Sequence, residues 1–302
     1  MGNDNLDNNP LIAAIFGSEA ARKLQENEYI NKKDGFIYCS ICKMPKQSRI
    51  GGFLHPMQCE CERKEREEAE AEEKKYKHRQ AVSKRKADCF GSNSKYADCI
   101  FANCDNGVNT KITEFCFNYC VNWREMKKEN VSLIFCGNVG RGKTHLAACI
   151  CNKLIEDYEA RVKLITENEF LERYSIIQDR GEYLNELLSY SLLVIDEMGI
   201  QTFKGNAAAT GYLPFLEDLI NRRYNANKPL IITSNLPKTF FINPSKDNVV
   251  NRIVSRLKEM AAEPIIFNGE DLRAKKQKEK IERLKKSLND KAAGKPDTAP
   301  IT

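Results

Sequence analysis

The chain has 302 residues, and its 48 lysines and arginines against 42 aspartates and glutamates give a formal net charge of +6. Hydrophobic residues make up 41% and charged residues 30%, so the chain can bury a core and still carry long solvated stretches. It contains no run of about 18 apolar residues, so we expect no membrane-spanning helix. The N-terminus lacks the basic segment that begins a secretory signal, and we predict a cytoplasmic protein with no membrane partner.

The first predicted element is a short amphipathic helix between residues 11 and 24. Leu11, Ile15 and Leu24 recur at helical spacing on its apolar side. Two interpretations stay open for this helix. It packs on its own domain, or it docks on a partner protein.

Four of the 12 cysteines follow as two close pairs, Cys39-x2-Cys42 and Cys59-x-Cys61. The segment around them has few large apolar side chains, so a tetrahedral Zn²⁺ held by these thiolates is the expected source of its order. His55 is an alternative fourth ligand in place of Cys59 or Cys61. A redox C-x-x-C is the other interpretation, but no thioredoxin-like βαβ pattern surrounds it. The remaining cysteines lie in apolar stretches, where cysteine acts as a small hydrophobe.

Residues 62–86 are almost wholly charged, with acidic residues in the middle and basic residues at the end. That order complements a helix dipole. The stretch lacks the apolar stripe of a packed helix and the a/d hydrophobic positions of a coiled coil, so we predict a solvated helical linker. Its basic end, at residues 84–86, is a candidate for nucleic-acid contact, although a solvated face is favoured.

From about residue 89 the pattern alternates between apolar strands and amphipathic helices. Such alternation predicts an α/β domain with a parallel sheet that helices cover on both faces. Beyond residue 271 a lysine-rich tail carries apolar residues on one helical side. The predicted strands are 131–136, 161–166, 192–196, 229–233 and 264–267, and the predicted helices begin near 145, 167, 183, 213 and 249.

A phosphate-binding loop, G-x-x-x-x-G-K-[ST], lies between the first strand and the first helix of this pattern. Its glycines let successive backbone N–H groups face one anion. Lys143 can reach the β- and γ-phosphates, and Thr144 offers a hydroxyl to Mg²⁺. The helix that follows directs its N-terminal dipole at the phosphates. The loop consists of Gly137, Asn138, Val139, Gly140, Arg141, Gly142, Lys143 and Thr144.

Polar residues end two later strands. Asp196 and Glu197 follow the apolar run 192–195, which would deliver one carboxylate to Mg²⁺ and a second to the attacking water. Asn235 ends the next strand and can orient water if that strand neighbours the loop strand. Arg252 and Arg256 share one face of a helix, which indicates either a functional pair or two solvated arginines.

These motifs, in this order, resemble the DnaC/DnaI-type helicase loaders, which are AAA+ ATPases close to the IstB transposition ATPases. The residues that carry the resemblance are Gly-Asn-Val-Gly-Arg-Gly-Lys-Thr-His-Leu-Ala at 137–147, Val-Ile-Asp-Glu-Met-Gly at 194–199, the run 221–236 and Arg-Ile-Val-Ser-Arg-Leu at 252–257. The match covers about residues 90–270. A zinc-binding domain before the ATPase is similar to DnaI and to phage-borne loaders.

The resemblance implies a role for each matching residue. The loop and His145 would bind ATP as Walker A, Asp196 and Glu197 would form Walker B, and Asn235 would be sensor 1. Arg252 would act as an arginine finger and Arg256 as a sensor-2-like residue. Two features depart from the family: the cysteine pair 59/61 is tighter than that of DnaI, and the lysine-rich tail has no counterpart.

The implied organisation has four parts: an N-terminal helix and zinc-binding domain over 1–61, a linker over 62–88, an AAA+ domain over 89–270 and a basic tail over 271–302. The implied function is to load a hexameric replicative helicase onto single-stranded DNA with ATP, Mg²⁺ and Zn²⁺. An arginine finger further requires self-association or a neighbouring AAA+ subunit. The alternatives are an IstB-like transposition ATPase and a nucleotide-gated adaptor with little turnover.

Overall fold

The computed structural model describes residues 24–50, 52–91, 93–104, 109–199, 211–243, 248–261 and 263–292. The chain divides into two compact units between Gln80 and Ala81, here called the N-terminal and the C-terminal unit. Among the described residues, no helix is both long and apolar enough to cross a membrane. The predicted N-terminal amphipathic helix falls mainly on residues 11–23, which lie outside the described part of the chain.

The N-terminal unit contains two small antiparallel sheets. One pairs β1 with β2, and the other pairs β3 with β4 in a tight hairpin. Buried Lys46 forms ion pairs with Glu28 and Glu62, which ties the first strand to the start of the following helix. The four strands are β1 (Glu28–Ile30), β2 (Ile37–Cys39), β3 (Gln47–Ile50) and β4 (Phe53–Pro56).

The charged stretch forms helix α1 (Glu60–Phe90), which confirms the predicted solvated helix. Its buried residues, Cys89 and Phe90, lie at its C-terminal end. Along its exposed length, ion pairs such as Lys64–Glu60 and Lys77–Glu73 join residues one turn apart. Pairs at this spacing stabilise a helix modestly, by about 0.2–0.5 kcal/mol each.

The C-terminal unit follows the predicted alternation of strands and helices. Each predicted strand forms within two residues of its expected ends, because each is a short apolar run bounded by polar or turn residues. The strands are β5 (Leu133–Cys136), β6 (Val162–Thr166), β7 (Leu192–Asp196), β8 (Leu230–Ser234) and β9 (Ile265–Ile266). The helices are α2 (Thr110–Val121), α3 (Trp123–Lys128), α4 (Lys143–Tyr158), α5 (Glu167–Ile176), α6 (Arg180–Ser189), α7 (Tyr212–Asn225), α8 (Lys238–Ile242), α9 (Asn248–Met260) and α10 (Leu272–Ala292).

The five strands form one parallel sheet in the order β6-β7-β8-β5-β9. Alternate residues of each strand enter different cores: Ile134 packs with helices α5–α7 and α9, whereas Leu133 and Phe135 pack with α2–α4. Helices therefore cover both faces, which confirms the predicted α/β architecture. Because the strands are parallel, the carboxyl ends of β5, β7 and β8 meet at one edge, where the phosphate loop begins.

Candidate functional site

A cavity of about 460 Å³ lies at this edge of the sheet, and we call it the loop cavity. The phosphate loop and the first residues of α4 form one side of it. Glu197, Thr233 and Asn235 come from the ends of β7 and β8. Two further segments complete the lining: residues around the short 3-10 turns before α2, and the beginning of α10. The residues from these segments are Lys95, Tyr96, Asn103, Leu272, Arg273 and Glu279.

The loop glycines hold conformations and contacts that a side chain would disturb. Gly137, Gly140 and Gly142 have φ angles of 142°, 78° and 87°, in the region that favours glycine. A Cβ atom on Gly137 would lie 2.5 Å from the carbonyl oxygen of Phe267, and one on Gly140 would lie 2.0 Å from Asp271 Oδ1. The segment before α10 therefore passes directly against the phosphate loop.

Lys143 is buried at the base of the loop. Its Nζ donates to the carbonyl oxygens of Gly137 and Asn138 at 2.7 and 2.8 Å, and to Asn235 Oδ1 at 2.8 Å. Burial is the main cause that lowers the pKa of Lys143 from its ordinary value. The ammonium thus joins the loop to the end of β8, which brings the predicted Walker A and sensor 1 residues together.

The hydroxyl of Thr144 donates to the Asp196 carboxylate, with Oγ1 at 2.8 Å from Oδ1 and 3.1 Å from Oδ2. Thr233 on β8 donates to the same carboxylate and accepts the backbone N–H of Glu197 at 2.9 Å. Burial raises the pKa of Asp196, against the lowering effect of the two threonine hydrogen bonds. Thr233 lies in the strand that Asn235 follows, but the sequence pattern alone indicates no role for it.

Glu197 adopts a left-handed backbone conformation, with φ 60°. This conformation is uncommon for a residue other than glycine, and such residues gather at functional sites. The turn separates the two neighbouring acids: Asp196 points back to Thr144 and Thr233, whereas Glu197 lines the loop cavity. The pair therefore offers one carboxylate beside the Thr144 hydroxyl and another facing the cavity.

The residues of the cavity fit a nucleoside triphosphate together with Mg²⁺. The Arg141 Nη1 atom is buried and has no hydrogen-bond partner among the described residues, so a phosphate oxygen would satisfy it. The backbone N–H groups at the start of α4 have no partners within the helix, so they also favour an anion. The Thr144 hydroxyl and the Asp196 carboxylate are oxygen ligands of the kind that Mg²⁺ prefers. Bound there, Mg²⁺ would neutralise charge on the β- and γ-phosphates.

The two arginines of α9 lie outside the loop cavity. Arg252 pairs with Glu217 of α7, with Nη2 at 3.0 Å from Oε2. Arg256 pairs with Glu259 and stacks 4.8 Å from the ring of Tyr224. The structure therefore does not bring either arginine to the nucleotide site of its own chain. The two roles that the resemblance implies, an arginine finger for Arg252 and a sensor-2-like residue for Arg256, therefore stay predictions.

Other lining residues were not predicted from the sequence. Lys95, Tyr96 and Asn103 lie in a segment that shows no motif, and Arg273 lies in the lysine-rich tail, for which the sequence indicates no role. The positive charge of Arg273 is only a weak indication of phosphate binding, because many lysines surround it in the sequence. These residues reach the cavity through the fold and not through local sequence spacing.

The four cysteines of the N-terminal unit form a second candidate site. Cys39 ends β2, Cys42 lies in the following turn, and Cys59 and Cys61 flank the start of α1. Their four sulfur atoms lie within 4.8 Å of one another. His55 lies on β4, opposite Ser48, and is not part of this group. The geometry thus favours the four thiols over the histidine alternative for a tetrahedral metal site.

Hydrogen bonds to Cys42 favour its ionised form. The backbone N–H of Met44 is the main cause that lowers the pKa of Cys42 to about 6. The hydrogen bond with Cys42 in turn raises the pKa of Cys61 to about 12. A thiolate held among other thiols is the donor that Zn²⁺ requires.

One family model and several known proteins are similar to this chain. The family model of the IstB-like ATP binding protein matches residues 67–280. The replicative helicase loader DnaC of Escherichia coli K12 is 28% identical over 151 residues, which are 48% of this chain and 57% of DnaC. The chromosomal replication initiator protein DnaA of Levilactobacillus brevis is 31% identical over 125 residues, which are 40% of this chain and 26% of DnaA.

Among solved structures, the crystal structure of DnaI matches with a TM-score of 0.50 at 20% identity. The match covers 59% of this chain and 92% of the DnaI chain. At this identity the likeness shows a shared fold. The chain spans 57% of the length of DnaC.

Proposed function

Because the chain belongs to the family of IstB-like ATP binding proteins, we propose that it is an ATP-dependent DNA replication protein that loads a hexameric replicative helicase onto single-stranded DNA. One observation carries the proposal: the phosphate loop, Glu197 and Asn235 line one cavity, and Asp196 at the end of β7 accepts a hydrogen bond from Thr144 of that loop. A protein that only binds nucleotide has no need of a second acid facing the phosphates. The partner is proposed from DnaC, a relative that is named a replicative helicase loader.

In the proposed reaction, Lys143 leaves its loop carbonyls to contact the β- and γ-phosphates. Glu197 accepts a proton from the attacking water, and the amide of Asn235 orients that water. Thr144 and Asp196 would hold Mg²⁺, which would neutralise charge on the phosphates. Each of these groups already lies on a rigid strand end or helix start, so little rearrangement is needed to form the reactive arrangement.

The N-terminal unit is proposed to bind the helicase. Its β3–β4 hairpin exposes Ile50 and Phe53, which pair across the two strands, and Phe53 is 76% exposed. Ile41, beside Cys42, is exposed as well. Exposed apolar residues on a small, metal-ordered unit are typical of a protein-binding surface. A Zn²⁺ held by the four cysteines would fix the positions of these residues.

The family model itself favours a second candidate, an IstB-like transposition ATPase. Such a protein would bind duplex DNA and a transposase. The cysteine group of the N-terminal unit weighs against this candidate, since we expect no zinc domain there. DNA preference in the presence of ATP separates the two: a loader prefers single strands, whereas a transposition ATPase prefers duplexes.

The test of the proposed reaction compares Lys143→Ala with Glu197→Gln. Lys143→Ala removes the charge that faces the phosphates and should abolish ATP binding. Glu197→Gln keeps that charge and loses the base, so it should bind ATP normally while its turnover falls by about a hundredfold or more. Binding is measured with a fluorescent ATP analogue, and turnover by phosphate release.

The matched control is Asp218→Asn, the same kind of change at an exposed acid of α7 that pairs with Arg222. It should leave both measurements unchanged. Equal turnover in the wild type and in Glu197→Gln would contradict the role of Glu197. A wild type that binds ATP but releases no phosphate, with DNA and helicase present, would instead identify the nucleotide-gated adaptor.

A further inference from the structure

A second group of metal-ligating side chains lies in the C-terminal unit, beside the loop cavity. Cys104, His145 and Cys149 each direct a ligand atom at the others, and these atoms all lie within 4.8 Å of one another. The thiol of Cys99 lies near the imidazole of His145 but is not part of this group. We propose that Cys104, His145 and Cys149 bind a Zn²⁺ ion that is distinct from the one assigned to the N-terminal unit, with the neighbouring Cys99 as the fourth ligand.

The distance between the two sulfur atoms of this group matches a tetrahedral metal site. With Zn–S bonds of about 2.3 Å at the tetrahedral angle, two ligand sulfurs lie about 3.8 Å apart. The sulfur atoms of Cys104 and Cys149 are 3.8 Å apart. They are therefore at the distance that a shared zinc ion sets, and far beyond a disulfide bond.

The spacing in the sequence is also that of a structural zinc site. Cys99 and Cys104 form a C-x4-C pair around the short 3-10 turn Phe101–Asn103. His145 and Cys149 lie one turn apart on α4, so their side chains share one face. Ligand pairs with two to five residues between them, one pair in a loop and one on a helix, are typical of such sites.

The alternative is that these cysteines are small hydrophobes, as buried Cys116 and Cys120 are in the same core. The histidine argues against this. His145 Nε2 is buried and has no hydrogen-bond partner among the described residues. A buried polar atom without a partner costs about 1–3 kcal/mol. A metal ion at the centre of the group would bond this nitrogen and remove the penalty.

The proposed ion would connect two walls of the loop cavity. His145 follows Thr144 directly, and Cys99 and Cys104 enclose Asn103, which lines the cavity with Tyr96. The ion would thus join the first turn of α4 to the segment on the opposite wall. All four ligands would be protein side chains, so the site is structural and has no open position for catalysis.

The test is the zinc content of the full-length protein by elemental mass spectrometry after gel filtration. The wild type should hold two zinc ions per chain, and Cys104→Ser should hold one. Cys39→Ser should also hold one, because it removes only the ion of the N-terminal unit. The double variant should hold none. Cys116→Ser, a buried cysteine outside both groups, is the matched control and should keep two.

A second measurement does not disturb the proposed site. Cys39→Ser loaded with Co²⁺ should show thiolate-to-cobalt charge transfer and the intense visible bands of tetrahedral cobalt. Adding Cys104→Ser to that variant should remove them. The proposal is overturned if Cys104→Ser holds as much zinc as the wild type, or if the cobalt-loaded Cys39→Ser protein shows no such bands. Because the N-terminal site is assayed separately, its failure would not be mistaken for failure here.

Discussion

Arg223 is the largest fully buried side chain in the described part of the chain. Its guanidinium donates to the carbonyl oxygens of Leu187 at 2.8 Å, Tyr190 at 3.2 Å and Pro229 at 2.8 Å. The first two carbonyls lie at the end of α6, where a helix leaves its last acceptors without partners. Burial lowers the pKa of Arg223 to about 9, so it stays charged near neutral pH. Arg223 therefore provides hydrogen-bond donors for carbonyl groups at the end of α6 and just before β8.

We predict that Arg223→Met destabilises the protein by about 3 kcal/mol or more, because three buried acceptors lose their donor. Urea unfolding followed by circular dichroism measures the change. The neighbouring Arg222→Met removes an exposed pair with Asp218 and should cost less than about 1 kcal/mol. Equal unfolding midpoints for the two variants would show that Arg223 has no special structural role.

Arg252 is the residue whose role depends on a second copy of the chain. It lies outside the loop cavity of its own chain, paired with Glu217. If it completes a neighbour's site, a mixture of Lys143→Ala and Arg252→Ala subunits should recover ATP hydrolysis that neither variant has alone. In the mixture, an intact phosphate loop from one variant meets an intact arginine from the other.

Phosphate release at varied mixing ratios measures this recovery. A mixture of Lys143→Ala with Glu197→Gln is the control, because each possible site then lacks a group of its own and no activity should return. If the Arg252 mixture stays inactive at every ratio while size-exclusion chromatography shows normal assembly, the trans role is wrong.

At the scale of elements, α10 is the part whose position the sequence did not suggest. Its first residue, Leu272, donates its N–H to the carbonyl oxygen of Gly140 at 2.9 Å, and the Asp271 carboxylate caps the helix while touching Gly140. Arg273 then lines the loop cavity. The lysine-rich tail thus begins as a wall of the candidate nucleotide site.

We predict that Arg273→Ala lowers ATP affinity by about tenfold, since a hydrogen bond to a charged phosphate contributes about 1.5–3 kcal/mol. Lys285→Ala, at an exposed cation further along the same helix, should leave affinity unchanged. Both are measured by titration with a fluorescent ATP analogue. Identical affinities would mean that Arg273 does not contact the nucleotide.

Local sequence was sufficient for the strands of the C-terminal unit and for helices α4–α7 and α9, whereas α2, α3 and α8 were not predicted. Apolar runs such as 192–196 and 229–233 define buried parallel strands, and each formed within two residues of its predicted ends. The strands of the N-terminal unit were not predicted. β1, β3 and β4 are three or four residues long and largely polar or exposed, and the buried β2 has only three residues, so no alternation of apolar residues marks these strands.

The candidate nucleotide site likewise contains residues that local sequence predicts and residues that only the fold brings to the cavity. Lys143, Asp196 and Glu197 belong to motifs whose residues are adjacent in the chain, and a motif can be detected without the fold. Tyr96 and Arg273 reach the same cavity from segments about 180 residues apart. The group of Cys104 and His145 was missed for the same reason, because only the packing of α4 brings the two together.

At the scale of the whole molecule, the two units carry separate chemistry. The N-terminal unit groups four thiols and exposes an apolar hairpin, while the C-terminal unit forms the loop cavity. The proposed function assigns partner binding to the first unit and ATP hydrolysis to the second. That division predicts that helicase binding and ATP binding can be lost independently, through Phe53 and Lys143 respectively.

The most direct test of the loader proposal is the loading of the host's replicative helicase onto a closed circle of single-stranded DNA. A helicase ring cannot thread onto a circle, so it must be opened before it can displace an annealed oligonucleotide. The wild type with ATP should produce rapid displacement, whereas Lys143→Ala should produce none. Displacement that proceeds equally fast without the protein, or a wild type that binds duplex circles in preference to single-stranded ones, would contradict the proposal.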